Sequence, residues 1–139
     1  MPGPASNDSD PMAFWTERHI CSLASVRPNG TPHLVPVGVV YDPATGLARI
    51  ITSSTSAKAR RIAAAGTLPV AVTQVDGARW TTLEGVARIN SAPEAVAEAE
   101  RRYTERYGEP RPNPLRVAIE IEVRRVLGSV KVPLPGASS

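Results

Sequence analysis

Cysteine, lysine and aromatic residues are all scarce in this 139-residue chain. A single cysteine, Cys21, excludes an internal disulfide and a cysteine-rich zinc site. It sits in an apolar run and reads as a small core residue. Two Trp, three Tyr and one Phe are too few for a nucleic-acid module that works by stacking bases. No apolar run approaches the roughly 18 residues of a membrane span. The first ten residues carry neither a basic nor an apolar block of the kind a secretory signal needs, so a cytoplasmic location is expected, with no membrane or nucleic-acid partner. Catalytic signatures are missing too. There is no Gly-x-Ser-x-Gly, phosphate-binding loop, Gly-x-Gly-x-x-Gly, His-Glu-x-x-His or Cys-x-x-Cys, and the two histidines, His19 and His33, form no metal-spaced cluster. If the chain is an enzyme, a bound organic cofactor must supply the reactive atom.

What remains is an ordinary globular composition, 42% hydrophobic and 21% charged, with a formal charge of +3. The length suits one domain. Residues 1–10 are small and polar and are expected to be disordered; a single domain is expected over 11–133, with a loose tail over 134–139. Asp10-Pro11 reads as a helix cap followed by proline at the first helical position, opening a short helix. Strands are expected at Ile20–Val26, Pro32–Tyr41, Leu47–Thr52, Pro69–Val75, Trp80–Ile89, Leu115–Val123 and Val126–Val132. Pro28-Asn29-Gly30, Asp42–Gly46 and Asp76–Arg79 are turn signals between them. Pro36 and Gly38 interrupt the second strand, which suggests an edge, a bulge or a backbone that a ligand approaches. Glu84-Gly85 marks a further candidate bulge. Helices are expected over Ala57–Ala65 and Pro93–Tyr107, the latter with Val96, Ala99, Tyr103 and Tyr107 on one face. In the last long strand, Val117, Ile119, Ile121 and Val123 alternate with outward Glu120, Glu122 and Arg124. Hairpin-linked short strands favour an antiparallel sheet closed into a small β-barrel, and a second copy would cover its remaining apolar surface.

The strongest candidate for ligand binding is Ser54-Thr55-Ser56-Ala57-Lys58-Ala59-Arg60-Arg61. Hydroxyls at a helix N-terminus, free amides and three cations within four residues could hold a phosphate. An ordinary capped helix with a solvated basic face uses the same residues. Lys58 is one of only two lysines, against 14 arginines. Trp80 can be core, dimer packing or a ligand wall. His33 reads as structural.

Taken as a set, Pro28-Asn29-Gly30-Thr31-Pro32-His33-Leu34-Val35-Pro36-Val37, Ile50-Ile51-Thr52 and Ser56-Ala57-Lys58 resemble the split-barrel flavin and deazaflavin oxidoreductases, whose type member is pyridoxamine 5′-phosphate oxidase. Gln74–Trp80, Leu83-Glu84-Gly85, Arg102-Tyr103, Pro110–Pro114 and Arg125–Gly128 look like the branch of F420-dependent biliverdin reductases. The resemblance implies a mainly β fold with flanking helices, a six-stranded antiparallel split β-barrel of the FMN-binding type. It implies a homodimer with cofactor sites at the subunit interface. It implies coenzyme F420, with FMN as the alternative, and hydride transfer to a conjugated small molecule such as biliverdin or a related tetrapyrrole. A non-catalytic cofactor-binding dimer is the third reading. By the same resemblance, Ser56, Lys58, Arg60 and Arg61 would meet the phosphate and tail. Val37, Gly38, Ile51 and Thr52 would line the ring, and Arg79 and Trp80 would come from the neighbouring subunit. His33 and Arg79 are the candidate proton donors, and no metal is expected. Several oxidases of this fold carry a C-terminus rich in aromatics; Val130–Pro135 has none, which weakens an oxidase reading.

Overall fold

The computed structural model describes residues 10–136; the expectations for residues 1–9 and 137–139 lie outside the described part. The elements run α1 (Pro11–Thr16), β1 (Cys21–Val26), β2 (Pro32–Val37), β3 (Val40–Asp42), β4 (Leu47–Ser53), α2 (Ala57–Ala65), β5 (Leu68–Asp76), β6 (Arg79–Asn90), α3 (Pro93–Tyr107) and β7 (Arg116–Gly128). Local chemistry sets most of these limits. Asp10 accepts the Met12 amide at 3.0 Å and caps α1, with Pro11 at its first position. Ser56 caps α2 by accepting the Ala59 amide at 3.2 Å, and Gly66 ends that helix at φ 80°. Glu98 and Arg102 pair at 2.6 Å across one turn of α3.

All seven strands join one antiparallel sheet in the order β2-β1-β5-β6-β7-β4-β3. This corrects the expected six-stranded barrel in two ways. The run expected as one strand over Pro32–Tyr41 is broken at Gly38-Val39 into β2 and β3, whereas the two expected C-terminal strands are one continuous β7. The sheet is also open: β2 and β3 are its two edges, and no ladder joins them. Only two residues separate these edges in the chain, so the sheet curls until they meet at this corner. Helix α3 holds this corner. The Val39 carbonyl accepts from Arg106 Nη1 at 2.6 Å, and its amide donates to the Tyr107 hydroxyl at 3.0 Å. Backbone groups of the corner, which belong to neither edge strand, are satisfied by helix side chains.

The interior of the curl holds Leu23, Val39, Ile50, Val72, Leu83, Ile119 and Ile121, with Ile62 from α2 and Trp15 from α1. Glu120, expected to point outward, is buried at 6% exposure; Arg88 pairs with it at 3.1 Å and Asn90 donates to it at 3.2 Å. The ladder between β6 and β7 slips one residue at Glu84/Gly85, as the sequence suggests. A Cβ on Gly85 would lie 2.1 Å from the Glu122 carbonyl oxygen, so this close backbone approach requires glycine.

Candidate functional site

A cavity of about 330 Å³ opens where the β2–β3 corner, β4, the first turn of α2, α3 and the loop before β7 converge. Its apolar part is Pro36, Val37 and Gly38 from the corner, Ile50 and Ile51 from β4, and Tyr103 from α3. Its polar end is Thr52, Ser53, Lys58, Arg111, Asn113 and Arg116. Among the described residues no carboxylate lines it.

The polar end is built from three backbone segments held together. Ser53 pairs with Arg116 in the β4–β7 ladder, and the Ser54 amide donates to the Leu115 carbonyl at 2.8 Å. Thr52 Oγ1 donates to Ser56 Oγ at 3.1 Å, so the end of β4 is tied to the cap of α2. The amides of Ala57 and Lys58, first in the helix, have no intrahelical acceptor. Lys58 is half-buried and forms no ion pair among the described residues; burial pushes its ammonium below the usual lysine range. Arg116, by contrast, is neutralised by Glu100 at 2.7 Å. An apolar slot that ends in an unneutralised ammonium and helix amides can take a flat ring system carrying an anionic tail.

Of the residues expected in the site, Val37, Gly38, Ile51, Thr52 and Lys58 line this cavity, and Ser56 stands behind Thr52. Arg60 and Arg61 do not. They border a separate apolar groove with Val26, Pro28, Ala64, Ala65 and Leu68. Arg61 Nη1 donates to Ser25 Oγ at 3.1 Å and lies 3.3 Å from His33 Nδ1. Burial, with Arg61, Arg27 and Lys58 nearby, pushes the His33 pKa down, which disfavours a protonated donor there.

Arg79 and Trp80 also stand away from the cavity. Arg79 is clamped between Glu17 at 3.0 Å and Asp76 at 2.5 Å and lies 4.6 Å above the Phe14 ring. Hydrogen bonds to both carboxylates push its pKa up and hold its proton. Trp80 is 41% exposed on the outer surface, together with Val26, Leu34 and Val75.

Tyr103, Arg111, Asn113 and Arg116 were not picked out as site residues from the sequence. Tyr103 looked like core periodicity, yet its ring spans Gly38 and the cavity: a Cβ on Gly38 would meet it at 3.0 Å. The three prolines at 110, 112 and 114 were the available signal for Arg111 and Asn113, because an irregular loop stiffened by proline can present what lies between its prolines; Arg116, at the start of β7, carried no such signal.

A buried polar network anchors this geometry. Arg106, 7% exposed, donates to the carbonyls of Glu17 at 2.8 Å and Val39 at 2.6 Å and to Gln74 Oε1. Gln74 Nε2 donates to the Phe14 carbonyl at 2.9 Å, and the Cys21 thiol donates to Gln74 at 3.4 Å. Tyr107 donates to the His19 carbonyl at 2.6 Å. Gln74 thus connects α1, β1 and α3, and the β2–β3 corner that floors the cavity hangs from the end of α3.

The model of the family described as pyridoxamine 5′-phosphate oxidase matches residues 12–129. The chain belongs to that family. A relative named F420H(2)-dependent biliverdin reductase, from Mycobacterium tuberculosis (strain CDC 1551 / Oshkosh), is 49% identical over 120 residues, covering 86% of each protein. A crystal structure of a conserved hypothetical protein from Mycobacterium tuberculosis superposes with a TM-score of 0.68 at 26% identity, covering 100% of this chain and 92% of that one. A solved structure titled F420 reductase superposes at 0.66 with 22% identity, over 84% of this chain and 94% of the other, a likeness of fold.

Proposed function

We propose that this family member is an F420-dependent reductase that transfers a hydride to a conjugated acceptor, biliverdin or a related tetrapyrrole. The observation that carries this is the polarity of the cavity: Val37, Gly38 and Ile51 on an apolar floor, then Lys58 and the α2 amides with no carboxylate among the lining residues. That donor set fits a deazaflavin ring with a phosphate-bearing tail, and the 49% identical reductase supports the same cofactor.

When bound, the cofactor would supply a hydride and, having carbon at the flavin's reactive nitrogen, little reactivity toward oxygen. The work of the chain is placement. Lys58, Thr52 and the first amides of α2 would hold the tail, the corner and β4 would seat the ring, and the Tyr103 ring would exclude water from one side. The acceptor gains a hydride and a proton; with His33 kept neutral and Arg79 locked, we assign that proton to solvent. A homodimer would cover exposed Val26, Leu34, Val75 and Trp80, and could bring Arg79 and Trp80 to the partner's cavity. The single domain over 11–133 and a cytoplasmic location belong to this reading; among the described residues no helix is long and apolar enough to cross a membrane.

The test is a titration of purified protein with F420 and with FMN, followed by cofactor fluorescence. Quenching by F420 and oxidation of its reduced form only on addition of biliverdin are expected. Binding of FMN alone would turn the reading to the flavin enzymes of the fold. Tight F420 binding with no turnover of any tetrapyrrole would leave a cofactor-binding dimer.

A further inference from the structure

The loop between α3 and β7 is clamped at several points, and it leaves one cationic side chain unspent. Pro110, Pro112 and Pro114 fix φ at three of its positions. Arg116 Nη2 donates to the Arg111 carbonyl at 2.5 Å while Nη1 holds Glu100 at 2.7 Å. Asn113 Oδ1 accepts the Leu115 amide at 2.9 Å, and the Leu115 carbonyl accepts the Ser54 amide at 2.8 Å. Each of these clamps acts on main chain or on Arg116, and none uses the Arg111 guanidinium. Arg111 lines the cavity, and its guanidinium makes no hydrogen bond or ion pair among the described residues. Nearby arginines of α3 are spent: Arg101 on Glu98 and Glu105, Arg102 on Glu98 and Asp42.

The geometry points to Arg111 as a specificity-determining residue that binds a carboxylate of the acceptor. The assignment rests on the reductase reading. A guanidinium held beside a cavity without acidic lining matches a carboxylate bidentately. Exposure separates its role from that of Lys58. Lys58 is half-buried at the helix N-terminus, suited to a resident phosphate, whereas Arg111 is exposed, as suits a group that meets an exchanging ligand. The cavity then selects conjugated acids over their neutral analogues.

Biliverdin, a dicarboxylate, and its uncharged dimethyl ester are the probes, each titrated by absorbance against wild type, Arg111→Gln and Arg111→Lys. F420 affinity is measured alongside. Wild type should bind the diacid about tenfold tighter than the diester, the order expected of one charge-assisted contact. Arg111→Gln should erase that preference by weakening the diacid alone, Arg111→Lys should restore part of it, and F420 affinity should stay within twofold. Discrimination that survives in Arg111→Gln overturns the assignment. So does a loss confined to F420 binding, which would give Arg111 to the cofactor. Turnover of biliverdin without any preference for the diacid would sink this inference and leave the reductase standing. Preference for the diacid, dependent on Arg111 but without turnover, would sink the reductase alone, and binding of neither probe would sink both.

Discussion

Removing the Lys58 ammonium should weaken cofactor binding and, at the same time, stabilise the free protein. Three cations line the cavity, and one of them, Arg116, is neutralised by Glu100. Lys58 is therefore the unneutralised charge at the start of α2, where a phosphate would sit, while Arg111 stands exposed on the loop before β7. A charge-assisted contact of this kind contributes about 1.5–3 kcal/mol, so Lys58→Ala should raise the F420 dissociation constant about 10- to 150-fold. The α2 amides remain, which keeps the loss below complete abolition. The stability effect runs the other way. Burial without an acidic partner lowers the Lys58 pKa, so the folded chain holds this proton less tightly than the unfolded chain. Between the two pKa values the unfolded state binds more protons, and stability rises with pH through that window. At neutral pH the charge is a cost to the free fold, and Lys58→Met, which keeps the stem, should raise its melting temperature. Fluorescence titration at low and high salt, together with thermal unfolding of the cofactor-free protein, reads both effects. Much of the binding loss should shrink near 1 M salt, where the screening length falls to about 3 Å. An unchanged dissociation constant together with a lower melting temperature would show that Lys58 is a structural residue and that the tail lies elsewhere.

Three further predictions concern the frame around the cavity. Arg106→Leu strands the Val39 and Glu17 carbonyls and Gln74, and should cost about 3–5 kcal/mol in urea unfolding; a loss below about 1 kcal/mol would mean that water satisfies those groups. Gly85→Ala forces a Cβ to 2.1 Å from the Glu122 carbonyl oxygen and should cost about 3 kcal/mol, so a fold of unchanged stability would disprove the tight bulge. Glu17 is held down to about 2, first by its hydrogen bond to Arg79 and then by His19. Its contribution to stability is present above its ordinary value of 4.5 and fades as pH falls through about 2. In Arg79→Ala its carboxyl resonance should titrate closer to 4.5, and a midpoint that stays near 2 would remove Arg79 as the cause.

Elements that announce themselves locally were legible in the chain. The α2 limits follow from Ser56 and Gly66, those of α3 from Pro93 and Gly108, and the hairpins from their turn residues. The bulge at Glu84-Gly85 and the role of Lys58 as a cavity cation could be read from single residues in context. Other features depend on partners far away in sequence. Alternation sent Glu120 outward because period two cannot foresee Arg88 and Asn90 beside it. Nothing local says that Arg61 would turn to Ser25 and His33, or that Arg79 would be locked by Glu17, 62 residues earlier.

The sequence by itself determined a mainly β chain with three helices, an anion-friendly helix start and no self-sufficient catalytic set. The tertiary structure decided that the sheet stays open, with β2 and β3 as its edges and the Val39 corner between them held by Arg106 and Tyr107 of a distant helix. It also decided which cations share a cavity. Charge is written residue by residue, but whether a guanidinium is spent on a neighbour or left facing a ligand depends on which carboxylates the fold brings to it.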